Sequence, residues 1–532
     1  MFRNKHRIHL KDKEQKVKAD DFNFNKIERY FLKSSKENIH QVISDRTCHD
    51  LDLEDIFKFI DRTSSSIGQQ YLYHLLRTLP SDKLRSEKTE ALIAFFNSDN
   101  EFKKLVLDEV SKLDNNDAYY ISSLFQGPHL QKPKWFWVIQ TLSLISICTV
   151  LLSFVFQQVL ILIIFLLPVN LGIHYWNKNN LYQYASSIPQ LLVMNEIAEK
   201  MLKHKYLHDE NVAKAVKELD TMSRSMSIFK IEAKLQSEAG LFVEYFIELI
   251  KALFLIEPVL LFKILPFLDS RRQHMADVFN FVGQIDAALS IHLLRDDLPY
   301  YCIPNIISNR KELNTTASYH PLIYNSVAND IDLNAKSALL TGSNMSGKTT
   351  FIRTIGINVI FGQAINTCFA REFSVSRMKV HSAIRISDDL LDNKSYYFEE
   401  VLTLKNLLQE SQLTSENLFL LDELFKGTNT IERIAAGKAI LSYLNKRNNI
   451  VIVSTHDLEL AEFLKNTFDL YHFTEVIRDD KILFDYKIKP GNLTTTNAIR
   501  ILSLNDYPRE VVDEATLLAD QIQRAKTDKY QN

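Results

Sequence analysis

The stretch from Trp135 to Asn177 contains no Asp, Glu, Lys or Arg, and Leu, Ile, Val and Phe dominate it. Helices on the surface of a soluble domain keep a polar face. A chain segment without one must be surrounded by lipid or buried on every side by protein. A single helix of this length would run about 65 Å, roughly twice the hydrocarbon thickness of a bilayer. Two spans of about 20 residues each, turning near Gln157-Gln158, fit that thickness better. Trp135, Trp137, Tyr175 and Trp176 stand where interfacial aromatics belong. Lys132 and Lys134 precede the hairpin and Lys178 follows it, while its tip is uncharged. The positive-inside rule then places both flanks in the cytosol. Pro168 falls inside the second span, where a helix in lipid tolerates it. The expectation is a multi-pass membrane protein with two spans over 135–177 and both termini cytoplasmic. The competing reading is a core hairpin of a soluble protein.

A second stretch constrains the chemistry. Leu340-Thr341-Gly342-Ser343-Asn344-Met345-Ser346-Gly347-Lys348-Thr349-Thr350 follows a short apolar run and precedes Phe351, Ile352, Ile355, Val359 and Ile360 at helical spacing. Strand, glycine-bounded loop and helix are the requirements of a P-loop. Gly342 and Gly347 let the backbone curl so that its N–H groups point at phosphate oxygens. Lys348 adds a positive charge, Thr349 a hydroxyl for Mg²⁺, and the helix N-terminus favours the anion. The expected ligands are ATP and Mg²⁺, in a Mg²⁺-dependent ATPase. Further on, the apolar run Asn417-Leu-Phe-Leu-Leu-Asp422-Glu423 reads as a buried parallel strand delivering two carboxylates at its end. Asp422 can hold the Mg²⁺ shell and Glu423 can polarise an attacking water. Another buried strand, Asn449-Ile-Val-Ile-Val-Ser-Thr-His456-Asp457, brings His456 to a place where it can sense the γ-phosphate or hold that water.

In the 532-residue chain, residues from about 20 to 130 and from 180 to 300 read as helical. Its net charge of −2 announces no global basic field for nucleic acid. Cys48, Cys148, Cys302 and Cys368 are scattered without C-x-x-C spacing, which suits reduced cytosolic thiols and no zinc site. No apolar leader opens the chain; instead Arg3, Lys5, Arg7, Lys11, Lys13, Lys16 and Lys18 make a basic tail expected to be solvated, with a lipid- or nucleic-acid-binding arm as the alternative. Around Asp61-Arg62-Thr63 and Gly68, a Ser/Thr-rich loop between two amphipathic helices offers hydroxyls that can cap the second one. Leu241–Lys251 is amphipathic, and Leu253–Phe267, interrupted by Glu257 and Lys263, reads as core helix.

The ordered motifs resemble those of the MutS mismatch-repair ATPases. The loop with Asn344-Met345 inside it is similar to that family's P-loop, and Asp388-Asp389-Leu390 with Ser395-Tyr-Tyr-Phe-Glu399 is similar to its Ser-Thr-Phe-x-x-Glu segment. Asp422-Glu-Leu-Phe-Lys-Gly427-Thr-Asn-Thr430 resembles its Asp-Glu-x-x-x-Gly-Thr-Ser-Thr signature, with Phe425-Lys426 in place of Gly-Arg. Ser454-Thr-His456, Lys489-Pro-Gly491, Asn497-Ala-Ile-Arg500 and Pro508-Arg-Glu-Val-Val512 continue the likeness, and His320-Pro321 and the Asp61–Gly68 loop extend it upstream. The resemblance implies a homodimer formed through the ATPase domain, with Ser395 reaching the partner's γ-phosphate, the segment Thr428–Thr430 near the interface, and the helices after Pro508 helping to dimerise. It also implies an aromatic stacked on adenine, for which Tyr324 is the candidate. DNA is the implied partner, as mismatched or branched duplex in mismatch repair. The N-terminal wedge domain that reads mismatches is not expected here, and the hairpin interrupts the helical region about where the family inserts its DNA clamp.

The expected architecture is thus an α/β P-loop NTPase domain (of the ABC/MutS type) preceded by an all-α core and lever domain carrying a transmembrane hairpin. Its boundaries are 1–50 (basic tail and helices), 51–134 (the first core-like helices), 135–177 (hairpin), 178–300 (the remaining core and lever helices) and 301–525 (ATPase domain with dimerisation helices). The expected catalytic residues are Lys348, Glu423 and His456. Nucleotide binding falls to Gly342, Ser343, Asn344, Met345, Ser346, Gly347, Lys348, Thr349 and Thr350 with Tyr324 and Ser395, and metal binding to Thr349 and Asp422. Two readings follow: a membrane-anchored MutS-like ATPase associated with DNA, or a membrane-bound ATP-driven regulator or scaffold that binds none. A transporter ATPase would need a Leu-Ser-Gly-Gly-Gln-like signature before the second motif, and Gln409–Ser415 is not one.

Overall fold

The computed structural model describes residues 22–127, 129, 132–225, 241–308, 310–343, 345–385, 396–413, 416–425, 428–478, 481–493, 502–503 and 507–531. The basic tail to residue 21, Asn344, the segment 386–395 with Ser395, Lys426-Gly427 and 494–500 lie outside the described residues.

The C-terminal region is built on a six-stranded sheet of β1 (Ser337–Gly342), β2 (Lys379–Ala383), β3 (Asn417–Asp422), β4 (Ile450–Ser454), β5 (Phe468–Phe473) and β6 (Lys489–Pro490), in the order β6-β5-β1-β4-β3-β2. All pairings are parallel except β6 on β5. The apolar runs of β1, β3 and β4 are buried along almost their whole length, as strands covered on both faces must be. Register puts Ser454 level with both Leu340 and Asp422. The carboxyl ends of β1, β3 and β4 therefore open onto one edge, where an α/β sheet carries its site. A second, four-stranded sheet is formed by 305–307, 312–318, 329–334 and 372–376.

The preceding region is largely helical. Short helices α1 (Asp45–Asp50) and α2 (Leu53–Ile60) lead to the Ser/Thr loop, then α3 (Ser66–Arg77). Ser65 caps α3 by accepting the Gly68 N–H at 2.9 Å. The fully buried Asp286 sits under the loop, accepting the N–H groups of Ser64 and Ser65 at 3.0 and 2.9 Å and the Ser65 hydroxyl at 2.5 Å. A Cβ on Gly68 would stand 2.0 Å from the Asp286 carboxylate, so only glycine admits this approach. The loop is a structural joint.

Among the described residues two helices are long and apolar enough to cross a membrane, over 136–153 and 157–176. The first is α4 (Phe136–Ser153); the second begins with a short turn and continues as α5 (Ile161–Leu202). The second candidate span is not a separate helix. It is the first half of a rod about 63 Å long at 1.5 Å per residue, whose far half enters the helical core. There Ile188, Leu191, Met194 and Ile197 pack in one apolar cluster with Val278, Phe279 and Val282. Beyond come α6 (Leu241–Phe254) and α7 (Ile256–Ser270), separated by Leu255 in left-handed backbone, and then α8 (Arg272–Asp297). The expected core helix over Leu253–Phe267 is thus broken at its start. Leu261, Phe262 and Leu265 do join the helical core, while α6 and α7 also pack against α4 and α5.

Candidate functional site

Between β1 and α9 (Lys348–Ile365) the chain makes the glycine loop. Gly342 has φ +147° and Gly347 φ +108°, conformations that L side chains rarely adopt. A Cβ on Gly342 would also lie 2.6 Å from the Phe473 carbonyl oxygen. Met345 completes the turn with φ +68° and is 82% exposed, so its side chain leaves the loop. The buried Lys348 turns its ammonium inward, donating to the Gly342 and Ser343 carbonyls at 2.9 Å each. Those carbonyls hold the charge beside the space that the loop encloses. An entering anion would compete for it.

The metal-binding expectation concerns Thr349 and Asp422, and the structure brings them together: the Thr349 hydroxyl donates to Asp422 Oδ2 at 2.7 Å. Ser454 donates to the other carboxylate oxygen, fixing the aspartate between β3 and β4. Among the described residues no group of three or more His, Cys, Asp and Glu converges as for an all-protein metal cage. One hydroxyl and one carboxylate suit Mg²⁺, which keeps waters and takes phosphate oxygens for the rest of its octahedron.

Glu423 and His456 also meet, with Nε2 2.8 Å from Oε1. Glu423 has φ +50° and Phe425 φ +59°, strained values for side chains of this size. The turn is held from two sides. Glu423 N–H donates to the Ser454 carbonyl at 3.0 Å, and the fully buried Glu400 accepts the Phe425 N–H. The strain aims the carboxylate at the sheet edge, where a histidine can orient it or share its proton with water. Further out, Arg433 makes a two-pronged ion pair to Asp457 at 2.8 and 2.7 Å. Asn429 caps α11 (Thr430–Leu444; α10 is Tyr396–Leu413) through the Glu432 N–H at 3.0 Å.

Several contacts have no motif to announce them. Tyr486 Cδ1 would lie 3.3 Å from a Cβ on Gly347, so this ring borders the loop, whereas Tyr324 is 52% exposed on the turn 321–325. Ser343 donates to Glu475 at 2.7 Å, placing a carboxylate behind the loop. On the helical side, Asp52 bridges Arg353 of α9 at 3.0 Å and Arg385 at 2.5 Å. The fully buried Asp50 accepts from Ser382 Oγ at 2.6 Å and the Arg385 N–H at 2.9 Å. These carboxylates tie the start of the helical region to α9, the helix after the glycine loop, and to the chain entering 386–395. His320, the other upstream likeness, is held neutral: burial and the nearby Arg353 push its pKa down to about 4.

The class these elements define is an α/β domain whose sheet edge brings together a glycine-bounded loop, a hydroxyl–carboxylate pair and a carboxylate–histidine pair. Residues 338–523 match the family model of MutS domain V. The chain is 31% identical over 205 residues to the DNA mismatch repair protein MutS of Listeria monocytogenes serotype 4a, covering 37% of this chain and 23% of that protein. It is 28% identical over 211 residues to the MutS of Caldanaerobacter subterraneus, covering 38% and 24%. The MutS of Carboxydothermus hydrogenoformans is 31% identical over 209 residues, covering 37% and 25%. Over this domain the chain is similar to the MutS family. It spans about a quarter of the length of these curated relatives.

Proposed function

We propose that this protein is a membrane-anchored, homodimeric MutS-like ATPase that uses ATP and Mg²⁺ and couples its nucleotide cycle to the helical levers. The observation that carries this reading is the convergence of Lys348, the Thr349–Asp422 pair and the Glu423–His456 pair at one sheet edge. Thr349 and Asp422 hold the cation, and Mg²⁺ when bound neutralises charge on the β- and γ-phosphates. Lys348 leaves the loop carbonyls for phosphate oxygens, Glu423 polarises the attacking water, and His456 orients Glu423. Ser395 of each protomer completes the partner's site, and Tyr324 stacks on adenine. The anchor is the hairpin over 135–177, with the ATPase domain and both termini in the cytosol. Glu423→Gln tests the catalytic half: hydrolysis should fall by at least about a hundredfold with ATP still bound. Membrane fractionation tests the anchor, and recovery of all the native protein in the soluble fraction sinks it.

DNA association is the family-derived element of the proposal, since the relatives are named DNA mismatch repair proteins. A second reading, an ATP-driven membrane regulator or scaffold without DNA, is favoured by the net charge of −2. The detergent-solubilised protein, titrated with matched, mismatched and branched duplexes with and without ATP, separates the two. Binding at micromolar affinity or better with a steep salt slope supports DNA, and no binding at low salt supports the regulator.

A further inference from the structure

The uncharged hairpin is not alone in its region of the molecule. Leu255, with φ +52°, ends α6 and starts α7 without an intervening loop. The break leaves carbonyls at the end of α6 without their helical partners. The hairpin supplies substitutes: Asn170 Nδ2 donates to the Leu253 carbonyl at 2.6 Å, and Ser143 Oγ donates to the Phe254 carbonyl at 2.7 Å. Asn170 also donates to Ser146 at 2.9 Å, so one asparagine ties both hairpin helices to the break. Ser143 and Ser146 lie about 10 and 15 Å along α4 from Phe136 at 1.5 Å per residue. If α4 crosses a bilayer of about 30 Å of hydrocarbon, the break stands well inside it.

The charges near the break agree with that depth. His174 Nε2 is 3.2 Å from Glu248, and Lys251 is 3.1 Å from Glu257 and 3.4 Å from Glu248. His174, Lys251 and Glu257 are all buried. Ionisable groups at membrane depth face the protein interior and pair with one another, as these do. Lys263 is exposed two turns past the break, a distance of about 12 Å along α7, enough to return an ammonium to the interface. Backbone broken at this depth is tolerated where protein satisfies it, as Asn170 and Ser143 do for the Leu253 and Phe254 carbonyls.

Beside the break is a cavity of about 440 Å³ lined by Ser143, Ile147, Val150, Leu151, Phe254, Ile256, Val259 and Leu260. The Ser143 hydroxyl is already engaged, so the lining offers an occupant little but hydrocarbon. Its α4 wall continues into the exposed Leu152 and Phe154 of the proposed membrane surface.

We infer that α6 and α7 form a re-entrant pair that enters the cytosolic leaflet beside the hairpin, and that the groove at their break takes an acyl chain of a membrane lipid. This rests on the hairpin being membrane-embedded, as proposed above. The break is then a lipid-contacting joint joined through α7 to α8, whose Arg295 holds Glu90 at 2.6 Å and the Asn366 carbonyl at 2.9 Å, at the far end of α9.

The test uses the full chain in dioleoylphosphatidylcholine vesicles doped with a phosphatidylcholine carrying a diazirine on its acyl chain, photolysed and mapped by mass spectrometry. Lipid adducts are expected on Phe154 and Phe165 of the hairpin and on Ile256, Val259 and Leu260, but not on the exposed Leu413 and Ile431. Ile147→Trp, which fills the groove, should lower adducts at Val259 and Leu260 at least fivefold and leave those at Phe165 unchanged. Adducts on the hairpin with none over 256–260 overturn the inference and leave the anchor standing. Unchanged adducts at Val259 and Leu260 in Ile147→Trp overturn the groove as their source. Adducts joining two copies at these residues, in place of lipid, overturn it in favour of self-association. An absence of adducts everywhere removes the membrane reading itself.

Discussion

The sheet edge and the helical joint beside the hairpin both bury charged groups, but in different company. At the sheet edge the charges rest on neutral partners: the buried Lys348 sits on carbonyls of its own loop, and the half-buried Asp422 is held by the hydroxyls of Thr349 and Ser454. Each is a neutral group that, in the proposed function, phosphate or Mg²⁺ displaces. At the helical joint Lys251 lies between Glu248 and Glu257, and Asn170 and Ser143 cap carbonyls freed by the chain itself. Those partnerships are closed. The difference teaches how to tell a site from a scaffold when both are polar and buried: a site leaves a charge with partners weaker than its ligand.

This contrast can be broken by substitution. The largest effect is expected at the sheet edge, where Lys348→Ala removes the displaceable charge. ATP affinity, read by equilibrium titration, should fall by about a hundredfold with the thermal midpoint hardly moved. Lys251→Leu should do the reverse. It leaves Glu248 and Glu257 without their buried cation, lowering stability in detergent by about 3–5 kcal/mol while nucleotide affinity stays near wild type. Asp286→Ala strips the partners from Ser64, Ser65 and the Ser65 hydroxyl together, and a loss of about 2–3 kcal/mol in denaturant unfolding is expected. The smallest effect concerns His320. Its folded pKa of about 4 lies below its ordinary value of 6.5, so the unfolded chain takes the proton first. Its contribution is complete above pH 6.5 and is lost as the pH falls towards 4. His320→Asn should flatten the acid limb of the stability curve over that window, and an unaltered limb removes His320 from the account.

What was legible in the sequence follows the same division. The glycine loop and the strand-end residues Asp422, Glu423 and His456 could be read because local backbone demands dictate them: a left-handed turn needs its glycines, and an apolar run ending in Asp-Glu points to a strand edge. Their placement at the strand ends was legible, but their partners were not. Ser454 was visible as a strand residue, yet its bond to Asp422 depends on the parallel register of β3 and β4. Tyr486, Glu475, Arg433 and the Asp50–Asp52 bridge left no local pattern, since each meets the site from a distant stretch of the chain. The uncharged hairpin was legible from composition, but its continuation as the 42-residue α5 was not, because charge returns after Asn177 while the helix goes on. Nor could Leu253–Phe267 be read correctly at its start. The left-handed break falls on a leucine with no glycine to mark it; Pro258, three residues on, suits a helix start or a kink alike and has no N–H for the Phe254 carbonyl, so tertiary capping holds the break.

The central claim is that the sheet edge hydrolyses ATP with Mg²⁺ through Glu423. The most direct measurement is phosphate release by the full chain, purified in detergent, for wild type and Glu423→Gln, each with Mg²⁺ and with EDTA. Mg²⁺-dependent turnover in the wild type, lower by at least about a hundredfold in Glu423→Gln while nucleotide still binds, is the predicted result. Equal rates for the two proteins, or turnover indifferent to Mg²⁺, would contradict it.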